Sequence, residues 1–171
     1  ALHPSSDERA NASTHAVITQ AVIQGASDSG ILSFADVFYA KAVTEASSIT
    51  NVTARAGQRG LFVQTLINDT RDAAMAVATP SVTNATLVSS AGSAVLLQSW
   101  LDDGTTRAPT ALPAGSLAAT LRNSIMTGSA RYGIEEASPS TEPAVVDSNA
   151  LGGNALGDYL DEGSTPRAAS A

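Results

Sequence analysis

Apolar positions along this chain follow two rhythms. Over residues 14–24, Val17, Ile18, Ala21 and Val22 fall at helical spacing and Gly25 offers a stop, which predicts a first helix. Phe34, Val37, Phe38 and Val43 make a second apolar stripe running from Ser33 to about Ala46, with Ser33 and Asp36 placed as a capping box. From residue 47 the rhythm shortens. Val, Ile, Thr and Asn rise, and apolar runs are split by turn signals. Residues 49–56 and 61–67 read as strands around the loop Gly57-Gln58-Arg59-Gly60. Residues 81–89 and 94–101 repeat that pattern around a turn at Ala91-Gly92. Leu117, Leu121 and Ile125 recur every fourth residue ahead of Gly128, so a third helix is expected over 116–127, followed by a short strand over 132–136.

The strand region carries an internal repeat. Ser48-Ile49-Thr50-Asn51-Val52-Thr53 matches Ser81-Val82-Thr83-Asn84-Ala85-Thr86 at an offset of 33. Residues 61–69, Leu-Phe-Val-Gln-Thr-Leu-Ile-Asn-Asp, match residues 95–103, Val-Leu-Leu-Gln-Ser-Trp-Leu-Asp-Asp, at an offset of 34. Two copies fall short of the roughly three repeats a solenoid needs to bury its faces, so the reading is two similar hairpins packed on one another. The fold expected is therefore α+β: N-terminal helices, a mainly antiparallel hairpin-built sheet, one later helix and an extended C-terminal arm. Residues 1–13 form an extended N-terminal arm, 14–136 a single domain, and 137–171 an acidic low-complexity arm containing the small repeat Asn149-Ala150-Leu151-Gly152 and Asn154-Ala155-Leu156-Gly157.

Composition narrows the chemistry. The 171 residues include no Cys, which removes disulfides, thiolate metal sites and Cys nucleophiles. The two histidines, His3 and His15, sit near the start, so a His-based site in the body of the chain is not expected. Ala, Ser and Thr number 32, 21 and 17, a small-residue composition suited to close packing. Net charge is −7, distributed as −3 over residues 1–47, +2 over 48–134 and −6 over 135–171. No Lys/Arg cluster exists to release phosphate counterions, so no direct nucleic-acid contact is expected. No apolar run approaches the ~18–20 residues of a membrane span, and Ala1-Leu2-His3-Pro4 lacks the charged start and apolar stretch of a signal peptide.

Motifs for catalysis are weak. There is no Gly-x-Ser-x-Gly elbow, and Gly57-Gln58-Arg59-Gly60 lacks the Gly-Lys-Ser/Thr ending of a phosphate loop. The acid groupings around Asp69 and Asp72, Asp102-Asp103, Glu135-Glu136 and Asp158–Glu162 lack the alternating spacing of a calcium loop. Trp100 lies in an apolar run and reads as core. Four sequons begin at Asn11, Asn51, Asn68 and Asn84, a pattern that arises by chance in a Ser- and Thr-rich chain. No catalytic, cofactor-binding or metal-ligating residue is assigned, and no cofactor is implied.

The function these features point to is a non-enzymatic structural subunit of a large homomeric assembly, such as a viral capsid, virion component or filament. Its partners would be copies of itself and other subunits of that assembly, in a virion or extracellular setting. The terminal arms would reach neighbouring subunits, with Arg55, Arg59, Leu151, Leu156, Tyr159 and Leu160 as contact residues. The alternatives are a small secreted or surface binding module, and an enzyme subunit working with carboxylates and Arg alone.

Overall fold

The computed structural model describes residues 11–37, 42–67, 75–102, 107–109, 117–138 and 145–161. All regular structure within them is β-strand, wound into five stacked coils of a parallel solenoid. The first coil carries β1 (Asn11–Thr14), β2 (Val17–Thr19), β3 (Val22–Ala26) and β4 (Ser29–Val37). The second carries β5 (Ala42–Glu45), β6 (Ser48–Thr50), β7 (Thr53–Ala56) and β8 (Arg59–Ile67). The third carries β9 (Met75–Ala78), β10 (Ser81–Thr83), β11 (Thr86–Ser89) and β12 (Ser93–Asp102), with β13 (Arg107–Pro109) folded back antiparallel on the end of β12. The fourth carries β14 (Thr120–Arg122), β15 (Ile125–Thr127) and β16 (Tyr132–Glu136). The fifth carries β17 (Val145–Asp147), β18 (Ala150–Gly152) and β19 (Gly157–Leu160). Equivalent strands of successive coils pair in parallel, giving the sheets β1-β5-β9, β2-β6-β10-β14-β17, β3-β7-β11-β15-β18 and β4-β8-β12-β16-β19.

Each short strand aims its middle residue inward. Ile18, Ile49, Val82, Leu121 and Val146 form one interior file. Five residues on, Ile23, Ala54, Leu87, Met126 and Leu151 form the next. The longer strands add Ile31, Leu61, Val95, Ile134 and Tyr159. Apart from the exposed Val146, they fill one apolar column along the stack, each fully buried Leu or Ile contributing about 1.5–3 kcal/mol.

Between the first two files the chain turns sharply, and the turning residue is left-handed in every coil. Gln20, Asn51, Asn84, Asn123 and Ser148 have φ between 48° and 56°. Asn tolerates this conformation better than other residues bearing a Cβ, which explains the Asn at three of the five corners. The Asn84 side-chain amide donates to the Asn51 side-chain oxygen Oδ1 at 3.2 Å, linking two of them. At the next corner the coils approach so closely that only glycine fits. A Cβ on Gly57 would lie 2.2 Å from the Ser27 carbonyl oxygen, and one on Gly92 2.0 Å from that of Gln58.

This architecture corrects the α+β expectation. Residues 14–24 are β2 and β3 rather than a helix. Val17 and Val22 are 64% and 70% exposed while Ile18 and Ile23 pack on the core, an alternation that belongs to strands. Gly25 has φ +74° at a register shift in β3, so it makes a bulge, not a helix stop. Of the second expected helix, 33–37 belong to β4 and 42–45 to β5, with Ser33 buried and bonded to Glu45 instead of capping; residues 38–41 lie outside the described residues. The helix over 116–127 is replaced by β14 and β15, split at the left-handed Asn123. Leu117, Leu121 and Met126 face inward while Ile125 is 45% exposed, so the four-residue recurrence of Leu117, Leu121 and Ile125 does not mark one buried face.

The hairpins are also overturned. The matched segments stack side by side in parallel: Ser81 pairs with Ser48 and Leu61 with Val95, so the offsets of 33 and 34 are the distances from one coil to the next. The expected C-terminal arm is in part the fifth coil, since Val145–Leu160 pairs in register on the fourth. The domain boundary drawn at residue 136 thus falls between two stacked coils. β-branched side chains packing on the coil beneath outweigh the helix preference of the surrounding alanines.

Candidate functional site

The last coil is built differently from those above it. At its two corners the tandem repeat supplies Asn149 and Asn154, and each amide clamps the backbone of the fourth coil. Asn149 accepts from the Ser124 N–H at 2.9 Å and donates to the Leu121 carbonyl at 2.8 Å. Asn154 accepts from the Ser129 N–H at 2.9 Å and donates to the Met126 carbonyl at 3.0 Å. Ser124 and Ser129 in turn accept from Ala85 N–H and Ser89 N–H of the third coil, at 3.1 and 3.3 Å. Two polar files therefore run down the corners and end on Asn149 and Asn154. The Tyr159 hydroxyl donates to Glu136 Oε1, tying β19 to β16 from inside.

The six residues expected to contact a partner are divided by this geometry. Leu151 and Tyr159 pack against the chain's own interior column. Leu160 is half-buried in register with Glu135, and Leu156 is 53% exposed at a corner. Arg59 is engaged within the molecule: its guanidinium binds Asp28 of the first coil at 2.8 Å and lies over the Phe62 ring at 4.3 Å. Arg55, on β7, is exposed. A second inter-coil pair, Arg122 with Asp147 at 4.0 Å, joins the fourth coil to the fifth. The two terminal coils are thus each tied to an inner coil by an arginine reaching outward to an aspartate; the Arg122–Asp147 pair is solvent-exposed and contributes little on its own, while Arg59 is partly shielded beside Phe62 with its partner Asp28 exposed.

Other residues singled out in the sequence take structural places. Asn51 and Asn84, which begin two sequons, are the left-handed corner residues, so the corner accounts for both. Asn11 starts β1 and is exposed; Asn68, Asp69, Asp72 and Asp103 lie outside the described residues. Trp100 is half-buried near the end of β12, in register with Leu66. Glu135 accepts from Ser93 and pairs with Arg131 at 3.0 Å. Glu45 is buried, bonded by the Ser33 hydroxyl and the Ser47 N–H. Among the described residues, His, Cys, Asp and Glu nowhere form a group of three able to hold a metal ion.

What the sequence reading missed is the exposed end of the column. Val146 belongs to the interior file yet is 42% exposed, because no described coil lies beyond it. At the opposite end Ile18, Ala21 and Ile23 pack on the core while only half-buried. The recurring five-residue interior spacing would have revealed both. No family model, no curated protein and no solved structure matches this chain.

Proposed function

We propose that this chain is a non-enzymatic structural subunit of a homomeric assembly, with the solenoid as a stiff segment whose two ends engage neighbours. The observation that carries this reading is that exposed large apolar side chains concentrate on the terminal coils: Val17, Val22, Leu32 and Phe34 on the first and Val146 and Leu156 on the last, against Met75 and Ile125 on the inner coils. Surfaces of this kind mark association sites more often than solvent-facing ones. Contact through terminal arms is not retained in its original form, because Leu151 and Tyr159 are used within the fold. Parallel coils stacked along one axis favour a filament over a closed shell, since a head-to-tail contact that does not close on itself propagates. Sedimentation and negative-stain imaging of the full chain test the proposal. Species larger than the 17.2 kDa monomer, regular in outline, are expected. A single monomeric species up to high micromolar concentration, at low and high salt alike, would overturn it.

A further inference from the structure

We infer that the fifth coil of one molecule docks on the first coil of a second copy, continuing the solenoid across the joint. This deepens the homomeric reading above and rests on it. Among the described residues, three strands of the fifth coil have no neighbour on their outer edge, and an occupant of that face would have to pair with all three in parallel at matching corners. The first coil offers that pattern. Its strands begin at Val17, Val22 and Ser29, and those of the fifth at Val145, Ala150 and Gly157, so the steps of five and seven residues are the same in both. A second copy can therefore lie on the fifth coil with no insertion at either corner.

The backbone hydrogen bonds also extrapolate across the joint. In each coil the left-handed corner residue donates its N–H to the next coil: Gln20 to Thr50, Asn51 to Thr83, Asn84 to Arg122 and Asn123 to Asp147. The next member of that series is Ser148, whose N–H would meet the Thr19 carbonyl of the second copy. In the reverse direction Thr53 donates to Ala21, Thr86 to Val52, Ile125 to Ala85 and Ala150 to Ser124. The series continues with Val22 of the second copy donating to the Asn149 carbonyl. The apolar column continues too. Val146 would be covered by Ile18 and Leu151 by Ile23, joining the half-buried ends of two columns.

Charge sets the conditions. The described part of the first coil carries Asp28 and Asp36, and that of the fifth Asp147, Asp158 and Asp161, with no Lys or Arg in either. Asp28 and Asp147 are already paired with Arg59 and Arg122 of the adjacent coils, so the like charges the joint brings together are chiefly Asp36, Asp158 and Asp161, and salt should strengthen it by screening them. Charged edges are a known brake on uncontrolled strand pairing.

The test uses the full chain and two variants, each blocking one face. Val146→Glu places a charge in the column end, where partial exposure lets the isolated fold tolerate it. Val22→Pro removes the N–H that faces the open edge, at a strand start where proline is accommodated; if its far-UV circular dichroism departs from the parent, Ile18→Glu, which places a charge in the half-buried column end opposite Val146, replaces it. Sedimentation velocity of the parent chain is expected to show oligomers growing with concentration and salt. Each variant alone should be monomeric. Mixing the two should restore a dimer and nothing larger, because each retains the face the other lacks. Oligomers in the parent that persist in both variants overturn the coil-on-coil joint while leaving the homomeric reading intact. Dimers formed by a single variant overturn the head-to-tail polarity. A parent that stays monomeric throughout overturns both readings.

Discussion

The second and third coils and the fourth and fifth coils share one backbone path and hold it by different means. In the upper pair the sequence nearly repeats, the interior files are apolar, and corners are fixed by Asn51 and Asn84 and by the close approaches at Gly57 and Gly92. In the lower pair both corners also carry side-chain clamps on neighbouring backbones, from Ser124, Ser129, Asn149 and Asn154, where in the upper pair Ser89 and Ser90 reach the second coil's backbone at one corner. The third and fourth coils are also farther apart in sequence, Ser81 pairing with Thr120 and then Thr120 with Val145. Corner geometry, rather than repeat length, is what every coil keeps.

Four changes would break or sharpen that contrast. The largest effect belongs to the interior of the upper pair. Leu87→Ala, at a fully buried site in the third coil, should cost about 2–5 kcal/mol in urea unfolding, whereas Leu151→Ala at the column end should cost clearly less. Equal losses would mean that the end is as well packed as the middle. Next comes Gly92→Ala, whose Cβ meets backbone rather than a movable side chain; a loss of about 3 kcal/mol is expected, the upper end for over-packing. Asn154→Ala leaves the Ser129 N–H and the Met126 carbonyl without their clamp, and should lower stability by about 1–3 kcal/mol. Hydrogen exchange should show the loss concentrated in the last two coils, and protection lost evenly over all five would contradict the clamp. Smallest is the corner series: Asn51→Ala should cost about 1–2 kcal/mol while Asn51→Gly stays close to the parent, as a left-handed position requires. A thermal melt in which both variants fall equally would point to the side-chain bond with Asn84 instead.

Much of the local structure was legible and the topology was not. The strands at 61–67, 94–101 and 132–136 stood out because apolar residues cluster there between turn residues, whereas 49–56 and 81–89, expected as single strands, are each two strands broken at the left-handed Asn51 and Asn84. A hairpin and a solenoid coil share that alternation, so pairing direction cannot be read from it. The repeat was visible, but its meaning depended on whether the two copies lie beside each other or fold on themselves. Helices were assigned where inward residues happen to fall three or four apart, as in Ile18 to Ala21 and Leu117 to Leu121, and where the outward Val17, Val22 and Ile125 extended those stripes by coincidence. The tail was set aside as too poor in apolar residues to fold alone. It does not fold alone: Leu151 and Tyr159 complete a column supplied by the coils above, and Asn149 and Asn154 bind a backbone already in place.

Because each coil touches chiefly the coils on either side, its environment is indifferent to how many others are present. A duplicate of residues 48–80 inserted after Pro80 would meet the same corners above and below that the present copy meets, and would lengthen the body by roughly 4.8 Å, one strand spacing. Size in such a protein is adjustable in fixed increments without redesign of its interior, which makes the fold a natural ruler.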